Sequence, residues 1–371
     1  MIKFNAENER IKRRYLTFVH EAQGYSIPSV DGVAKAIARF ETFTGYRDFK
    51  TYQDQQAVDF KRHLMMQKNS RTGEPLSLST VHSTLKALRN FFRWLAAQSG
   101  YKSKFTYNDA EYFNLPDKEA RVARARRESP GPTIEQMKAV LAAMPAGTVI
   151  ERRDRAVVAT AVLTGARDGA LASLKMKHID IHRGSLFQDA REVKTKNSKT
   201  FTSWFFPVPG EFRSVVECWV RELREELLWG DDDPLFPATE TSRVGNNQFG
   251  VIGLKRTCWS GAQPIRDIFR RAFAGAGLPY FNPHLLRKTL ALFGEGLCHS
   301  AEEMKAWSQN LGHDDVGTTF SSYGLVPSER QREIIAGLAV QPASNPKAQE
   351  LFNQLVRAVQ SSGLLPTKIL E

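Results

Sequence analysis

Apolar residues recur at spacings of three and four along most of this chain, the period of a helix with one buried face. VDGVAKAIARFETFTG sets Val30, Val33, Ile37 and Phe40 on one side, and DQQAVDFKRHLMMQ does the same with Val58, Phe60, Leu64 and Met65. LSTVHSTLKALRNFFRWLAAQ is the clearest case: Ser79 or Thr80 can cap it, and Val81, Leu85, Leu88, Phe91, Phe92 and Leu95 form its stripe. From Thr133, a candidate N-cap followed by Glu135 and Gln136, IEQMKAVLAAMP and RRDRAVVATAVLTG predict two more helices. The pattern then changes. SLFQDAREVKTKNSKTFTSWFFPVP alternates and is rich in β-branched residues around a polar turn at Lys196, Asn197 and Ser198, which predicts a hairpin or a three-stranded sheet. Helices resume near Gly210 and dominate to the end. There NPKAQELFNQLVRAVQSSG aligns Leu351, Leu355, Val356 and Val359, a face for packing at home or on a neighbouring subunit. The expected fold is mainly α with a small antiparallel β-sheet.

Composition bounds the rest. The 371 residues suffice for two domains or three small ones, and 42% hydrophobic content supports a filled core. The formal net charge of +12 suits a polyanionic partner, since each cation beside a phosphate releases condensed counterions, although a basic enzyme with no such partner would also carry it. Cys218, Cys258 and Cys298 are far apart, form no metal-ligand spacing and are odd in number, so neither a disulfide framework nor a metal is expected. The first residues lack the apolar core of a secretory signal, no apolar run is long enough to span a membrane, and a reduced cytoplasm fits.

The charge is unevenly spread. Opposite the apolar stripe of the clearest helix lie His82, Lys86, Arg89 and Arg93, a face suited to nucleic-acid backbone or simply to water. LPDKEARVARARRESPGPT then packs Lys118, Arg121, Arg124, Arg126 and Arg127 into ten residues before Pro130, Gly131 and Pro132 break the chain. This reads as a basic linker that could sit on DNA.

The C-terminal half places reactive residue types in a telling order: Arg167 after Gly165 in VLTGARDG, Lys194 in VKTKNSKT, His284 and Arg287 in NPHLLRKTL, His313 in QNLGHDD, and Tyr323 ten residues later. Breaking a phosphodiester without metal or water needs an in-line nucleophile, cations for the non-bridging oxygens and an acid for the departing 5′ oxygen. Arginine forks suit the second task, histidine or lysine the third, and a tyrosyl ester conserves bond energy for religation.

These segments resemble the tyrosine recombinase family of phage integrases and chromosome-dimer resolvases, whose members carry TGxR, a hairpin lysine, HxxR, LGH and then a tyrosine. The motifs span residues 133–324, and residues 27–114 look more loosely like the family's helical core-binding domain. The resemblance implies a basic segment at 1–26, a core-binding domain at 27–115, a linker at 116–132, a mixed α/β catalytic domain at 133–330 and a helical tail at 331–371, with the two domains forming a clamp. It implies that Arg167 and Arg287 grip the scissile phosphate and that His284 and His313 hydrogen-bond its oxygens, His284 also assisting the tyrosine proton. Lys194 would be the general acid, with Lys196 and Lys199 as rivals in the same hairpin, and Tyr323 would hold the 3′-phosphate. No cofactor is implied. The partner would be double-stranded DNA, the protein a homo-tetramer on paired sites and a monomer or weak dimer when free. The sequence departs from the family pattern at Ala170, where an acidic residue is usual and Asp168 stands nearby, at Lys288, and in a His313-to-Tyr323 gap one residue longer than the commonest. Alternatives are a type IB topoisomerase-like relaxing enzyme and a DNA-binding protein without catalysis.

Overall fold

The computed structural model describes residues 4–69, 72–124, 131–244 and 248–313, with Arg332, Ile335 and Gln354 as isolated positions. The chain divides into two units, Met1–Arg127 and Glu128–Glu371.

The N-terminal unit is helical: α1 (Ala6–Thr17), which runs on into one π turn, then α2 (Ile27–Thr44), α3 (Asp54–Met66), α4 (Leu78–Ala96), α5 (Tyr107–Ala110) and α6 (Asp117–Arg124). The stripe foreseen on α4 is fully buried and is the spine of the core. Its cap is Ser77, not Ser79 or Thr80: the Ser77 hydroxyl accepts the Thr80 N–H at 3.2 Å. Phe40 of α2 meets Phe60, Phe92 and Phe113 edge-on, with ring centroids 5.2, 5.4 and 5.5 Å away. Each such pair adds roughly 0.5–1.5 kcal/mol beyond area burial. On α3 the buried positions are Ala57, Phe60 and Leu64, while Val58 and Met65 are only half-buried.

Two expectations about this half need correction. Residues 1–26 are not a separate basic segment: Ile11, Tyr15 and Val19, one turn apart, bury in the same core as α4. The cations among them mask a narrow stripe, but three large apolar residues suffice to dock a helix. The stretch 116–132 is not wholly linker either, because its first part is α6, with Ala120 buried in that core.

The C-terminal unit builds on α7 (Ile134–Ala143) and α8 (Val149–Thr164), each opened by a capping box, Thr133 with Gln136 and Thr148 with Glu151. After the short α9 (Asp168–Leu171) come β1 (Ile179–Asp180), β2 (Ser185–Gln188) and β3 (Phe201–Trp204). They form an antiparallel sheet in the order β1-β2-β3, with Leu186 opposite both Ile179 and Ser203; β2 and β3 are the expected hairpin, and β1 joins it from upstream of the stretch that predicted it. Next are α10 (Gly210–Arg221), β4 (Ala238–Val244), β5 (Gln248–Lys255), α11 (Gln263–Gly275), α12 (Leu285–Leu297) and α13 (Ala301–Asn310). Phe212, Trp219, Phe236, Phe269 and Phe273 fill the core against α8. The β4–β5 pair, not foreseen, interrupts the helices that were expected to dominate from Gly210 onward: ATETSRV and QFGVIGLK flank Gly-Asn-Asn, a hairpin signal hidden by its polar first strand. The amphipathic stretch in the tail, 331–371, lies outside the described residues apart from the isolated positions. Among the described residues no helix is long and apolar enough to cross a membrane.

Candidate active site

Three chain turns bring the C-terminal motifs together. The first is the end of α8. Gly165 stops the helix in the left-handed region at φ 61°, and a Cβ there would meet Leu311 Cδ2 at 2.8 Å and Leu290 Cδ1 at 3.1 Å. Only glycine meets both demands. The chain then turns extended, and half-buried Arg167 sits at the N-cap of α9.

The second turn opens α12. The Asn282 side chain accepts the His284 N–H at 2.9 Å, which sets His284 just before the helix and Arg287 in its first turn. Arg287 is only 6% exposed. The third turn closes α13, where Gly312 at φ 68° leads into His313, whose N–H donates to the Ser308 carbonyl at 3.2 Å. A Cβ on Gly312 would strike the Phe201 ring of β3 at 2.5 Å.

Arg287 joins the three turns. Its Nη1 donates to the Gly165 carbonyl at 2.7 Å, and its Nη2 donates to the Leu311 carbonyl. Both acceptors are neutral. Burial, and then the like charge of Arg167, push the Arg287 pKa down to about 9. A guanidinium still stays protonated at neutral pH, so the depression measures how poorly the site accommodates its own cation. The imidazoles report the same field. Desolvation first, then Arg287 and Arg167, lower His284 and bring His313 down to about 4. Arg167, Arg287, His284 and His313 thus occupy one electropositive cluster, organised around a buried cation. Such a cluster can hold a phosphate and neutralise charge developing on it.

The hairpin lysines divide. Lys194, Lys196 and Lys199 lie on the β2–β3 connection, where Asn197 and Ser198 both take positive φ. Lys194 turns away: its Nζ donates to the Ser260 carbonyl at 2.6 Å. After burial, Arg287 and Arg167, the charge of Lys196 adds to the depression of His284, and that of Lys199 to the depression of His313. Ala170 is buried, and Asp168 is held by Arg266 Nε of α11 at 2.7 Å. No local pattern announces that partner, 98 positions away. Tyr323, Arg126 and Arg127 lie outside the described residues, as does the side chain of Arg124.

In the N-terminal unit, Lys86 and Arg93 are exposed on α4, and Arg121 is exposed on α6. Lys86 and Arg89, with His82, Asn114 and Asp117, line a polar groove of about 460 Å³. Arg89 donates to Asn114 Oδ1 at 2.7 Å, and Glu111 faces both Arg89 and Arg93 at 3.8 and 3.3 Å. That carboxylate was not foreseen. It partly neutralises the cationic face.

The model of the phage integrase family matches residues 133–329, more than half of the chain. The tyrosine recombinase XerC of Lactobacillus delbrueckii is 23% identical over 311 residues, covering 83% of this chain and 92% of that one. XerC 2 of Ralstonia nicotianae is 25% identical over 328 residues, covering 86% and 84%. Among solved structures, a lambda integrase dimer bound to a COC' core site aligns with a TM-score of 0.58 at 14% identity, covering 86% of this chain and 79% of that chain. The XerH recombinase on palindromic difH substrate aligns at 0.55 and 17%, covering 88% and 84%. These two share the fold. With the family match over its C-terminal half, this chain belongs to the phage integrase family of tyrosine recombinases.

Proposed function

We propose that this protein is a site-specific DNA recombinase that cuts and rejoins strands through a covalent bond to Tyr323. The phenol oxygen attacks the scissile phosphorus, the bond to the 5′ oxygen breaks, and a 3′-phosphotyrosyl ester remains. Arg167 and Arg287 hold the non-bridging oxygens, and His313 hydrogen-bonds one of them. His284, kept neutral near pH 7 by its surroundings, is suited to take the phenolic proton. A hairpin lysine returns a proton to the departing 5′ oxygen, and Lys196 is better disposed than Lys194, since Lys194 is spent on the Ser260 carbonyl. Religation is the reverse attack by a 5′ hydroxyl. The DNA is bound as paired sites by a tetramer, in the cytoplasm, and a mobile element is a natural cargo. The cations of α4 and of 116–132 add phosphate contacts.

One observation carries this reading: Arg287, buried and bonded only to carbonyls among the described residues, gathers the three motif turns into a site that repels its own cations and suits a phosphate. The test is a nicked suicide duplex, from which the cleaved end diffuses and traps the adduct. Wild-type protein is expected to form a covalent complex and Tyr323→Phe none, with DNA affinity unchanged within about threefold. An adduct that survives the substitution removes Tyr323 as nucleophile. Relaxation of supercoils with no exchange between paired sites would favour the topoisomerase-like alternative, and binding with no adduct the non-catalytic one.

A further inference from the structure

We infer that Glu192 and Lys194 are positioning residues that stake the β2–β3 connection so that Lys196 reaches the scissile phosphate. The inference rests on the proposed strand-cleavage chemistry.

The connection, residues 189–200, contains only one turn of 3₁₀ helix, at Lys196–Ser198. A segment with so little ladder hydrogen bonding needs other restraints to hold a side chain in place. Asp189 and Ala190 tie its base, through Arg191 and the Thr200 hydroxyl, and the restraints that lead up to Lys196 fall at three consecutive residues. Glu192 meets Lys177 Nζ at 2.8 Å, Lys175 Nζ at 3.1 Å and His178 Nε2 at 3.6 Å. Lys177 also reaches Asp232 at 2.8 Å. The 175–178 segment is itself fixed, because the Met176 and Lys177 N–H groups donate to the Asp233 and Asp231 carbonyls at 2.9 and 3.0 Å. Val193 is buried in the core. The Lys194 N–H donates to Ser173 Oγ at 2.9 Å, and that hydroxyl donates to the Gly169 carbonyl, in the helix that Arg167 opens. The Lys194 ammonium is then tied to Ser260. Two residues further on is Lys196, on an arm bent by the left-handed Asn197 and Ser198.

The Glu192 pairs are largely solvent-accessible, and exposed ion pairs contribute little to stability. Their value would lie in geometry: proton transfer needs heavy atoms about 2.6–3.2 Å apart, and a misplacement of about 1 Å can cost on the order of 100-fold.

A DNA carrying sulfur in place of the 5′-bridging oxygen separates the roles. A thiolate, whose conjugate acid has a pKa near 8.5, departs without a proton, so defects confined to acid delivery vanish on it. Glu192→Ala is expected to slow cleavage of ordinary DNA roughly 10- to 100-fold and to match wild type within about threefold on the sulfur substrate, with an unchanged melting temperature. Lys194→Gln keeps an amide N–H for the Ser260 carbonyl and should retain above about a tenth of wild-type rate, whereas Lys196→Gln should lose on the order of 10²–10⁴-fold and recover on sulfur. The double variant Glu192→Ala/Lys196→Gln should cleave ordinary DNA no more slowly than Lys196→Gln, because a stake matters only through what it positions. Should Glu192→Ala fold poorly, Lys177→Met attacks the same stake from the other side, with the same pattern expected. Equal slowing on both substrates, multiplying defects in the double variant, or Lys194→Gln as inactive as Lys196→Gln would each overturn the inference. Absence of an adduct from wild-type protein on either DNA would instead overturn the proposed function.

Discussion

Two cations, half-buried Lys12 in the N-terminal unit and buried Arg287 in the C-terminal one, are treated in opposite ways. In the N-terminal unit Lys12 reaches Glu41, a 1%-exposed carboxylate that also takes a hydrogen bond from Asn8. Burial pulls the lysine down, but hydrogen bonds to Glu41 and Glu9 outweigh it and its pKa rises. In the C-terminal unit Arg287 has neutral partners and cationic neighbours, and its pKa falls. The difference in partners is local to the site, since the same unit pairs its buried Arg153 with Asp154 at 2.7 Å, even though burial still lowers that arginine's pKa. A fold that answers a buried charge elsewhere, and among the described residues gives Arg287 no acidic partner within a cluster of arginines and histidines, has a place for an external anion.

Removing each cation tests the contrast. Arg287→Met takes away a charge that has no acidic partner among the described residues along with two hydrogen bonds, so opposing terms cancel. The unfolding free energy should change by no more than about 1–2 kcal/mol, while strand cleavage falls on the order of 10²–10³-fold. Lys12→Met strands Glu41 in the core and should destabilise by about 3 kcal/mol with cleavage intact below the melting temperature. Denaturant titration and suicide-substrate rates measure both. A large stability loss at Arg287 with little effect at Lys12 would break the comparison.

A second pair of substitutions sharpens it. Gly45, which ends α2, and Gly312 share nearly the same φ, 66° and 68°. A Cβ on Gly45 meets nothing within 4 Å, whereas on Gly312 it meets the Phe201 ring at 2.5 Å. Gly45→Ala should cost only the backbone term, about 1 kcal/mol. Gly312→Ala should cost about 2–3 kcal/mol and, by moving His313, should also slow cleavage. Equal costs would mean that Phe201 yields freely and does not fix the histidine.

The histidines supply a pH test. Both folded-state pKa values lie below the ordinary value of about 6.5, so their neutral forms are favoured on folding. Their contribution to stability is complete above about pH 6.5 and declines as the pH falls towards 4. A bound phosphate opposes the arginine charges and should raise both values. The Cε1 proton resonances of Tyr323→Phe should therefore titrate at higher pH with duplex DNA present, and affinity should increase as pH falls through that window. Titration curves unmoved by DNA would place the phosphate elsewhere.

Much of this was legible in the sequence because it is local. The α4 stripe, the Thr133 cap, the β2–β3 hairpin and the glycine stop at Gly165 each follow from neighbouring residues. The motif order located Arg167, His284, Arg287 and His313 because a resemblance supplied long-range contacts that composition and spacing lack. What escaped was non-local or compositionally masked. Ile11, Tyr15 and Val19 were hidden among cations, and β4 among polar residues. Arg266 finds Asp168 only through the folded chain. The choice among three lysines within six residues depends on which way each side chain turns, which no spacing rule determines.

The smallest expected effect concerns the cationic face of α4. Arg93 is exposed and sits 3.3 Å from Glu111, an arrangement worth well under about 1 kcal/mol to the fold. Arg93→Ala should therefore leave the melting curve unchanged. If the face lies on DNA backbone, the phosphate that Arg93 meets must compete with Glu111 for it. Losing the arginine should weaken binding to all sequences alike and lower the slope of log affinity against log salt by about one. Glu111→Gln should act in the opposite direction, tightening binding, because it frees Arg89 and Arg93 from a carboxylate while preserving size. A salt slope that neither substitution moves would reduce the stripe of Lys86, Arg89 and Arg93 to a solvated helix face and leave DNA capture to the C-terminal cluster.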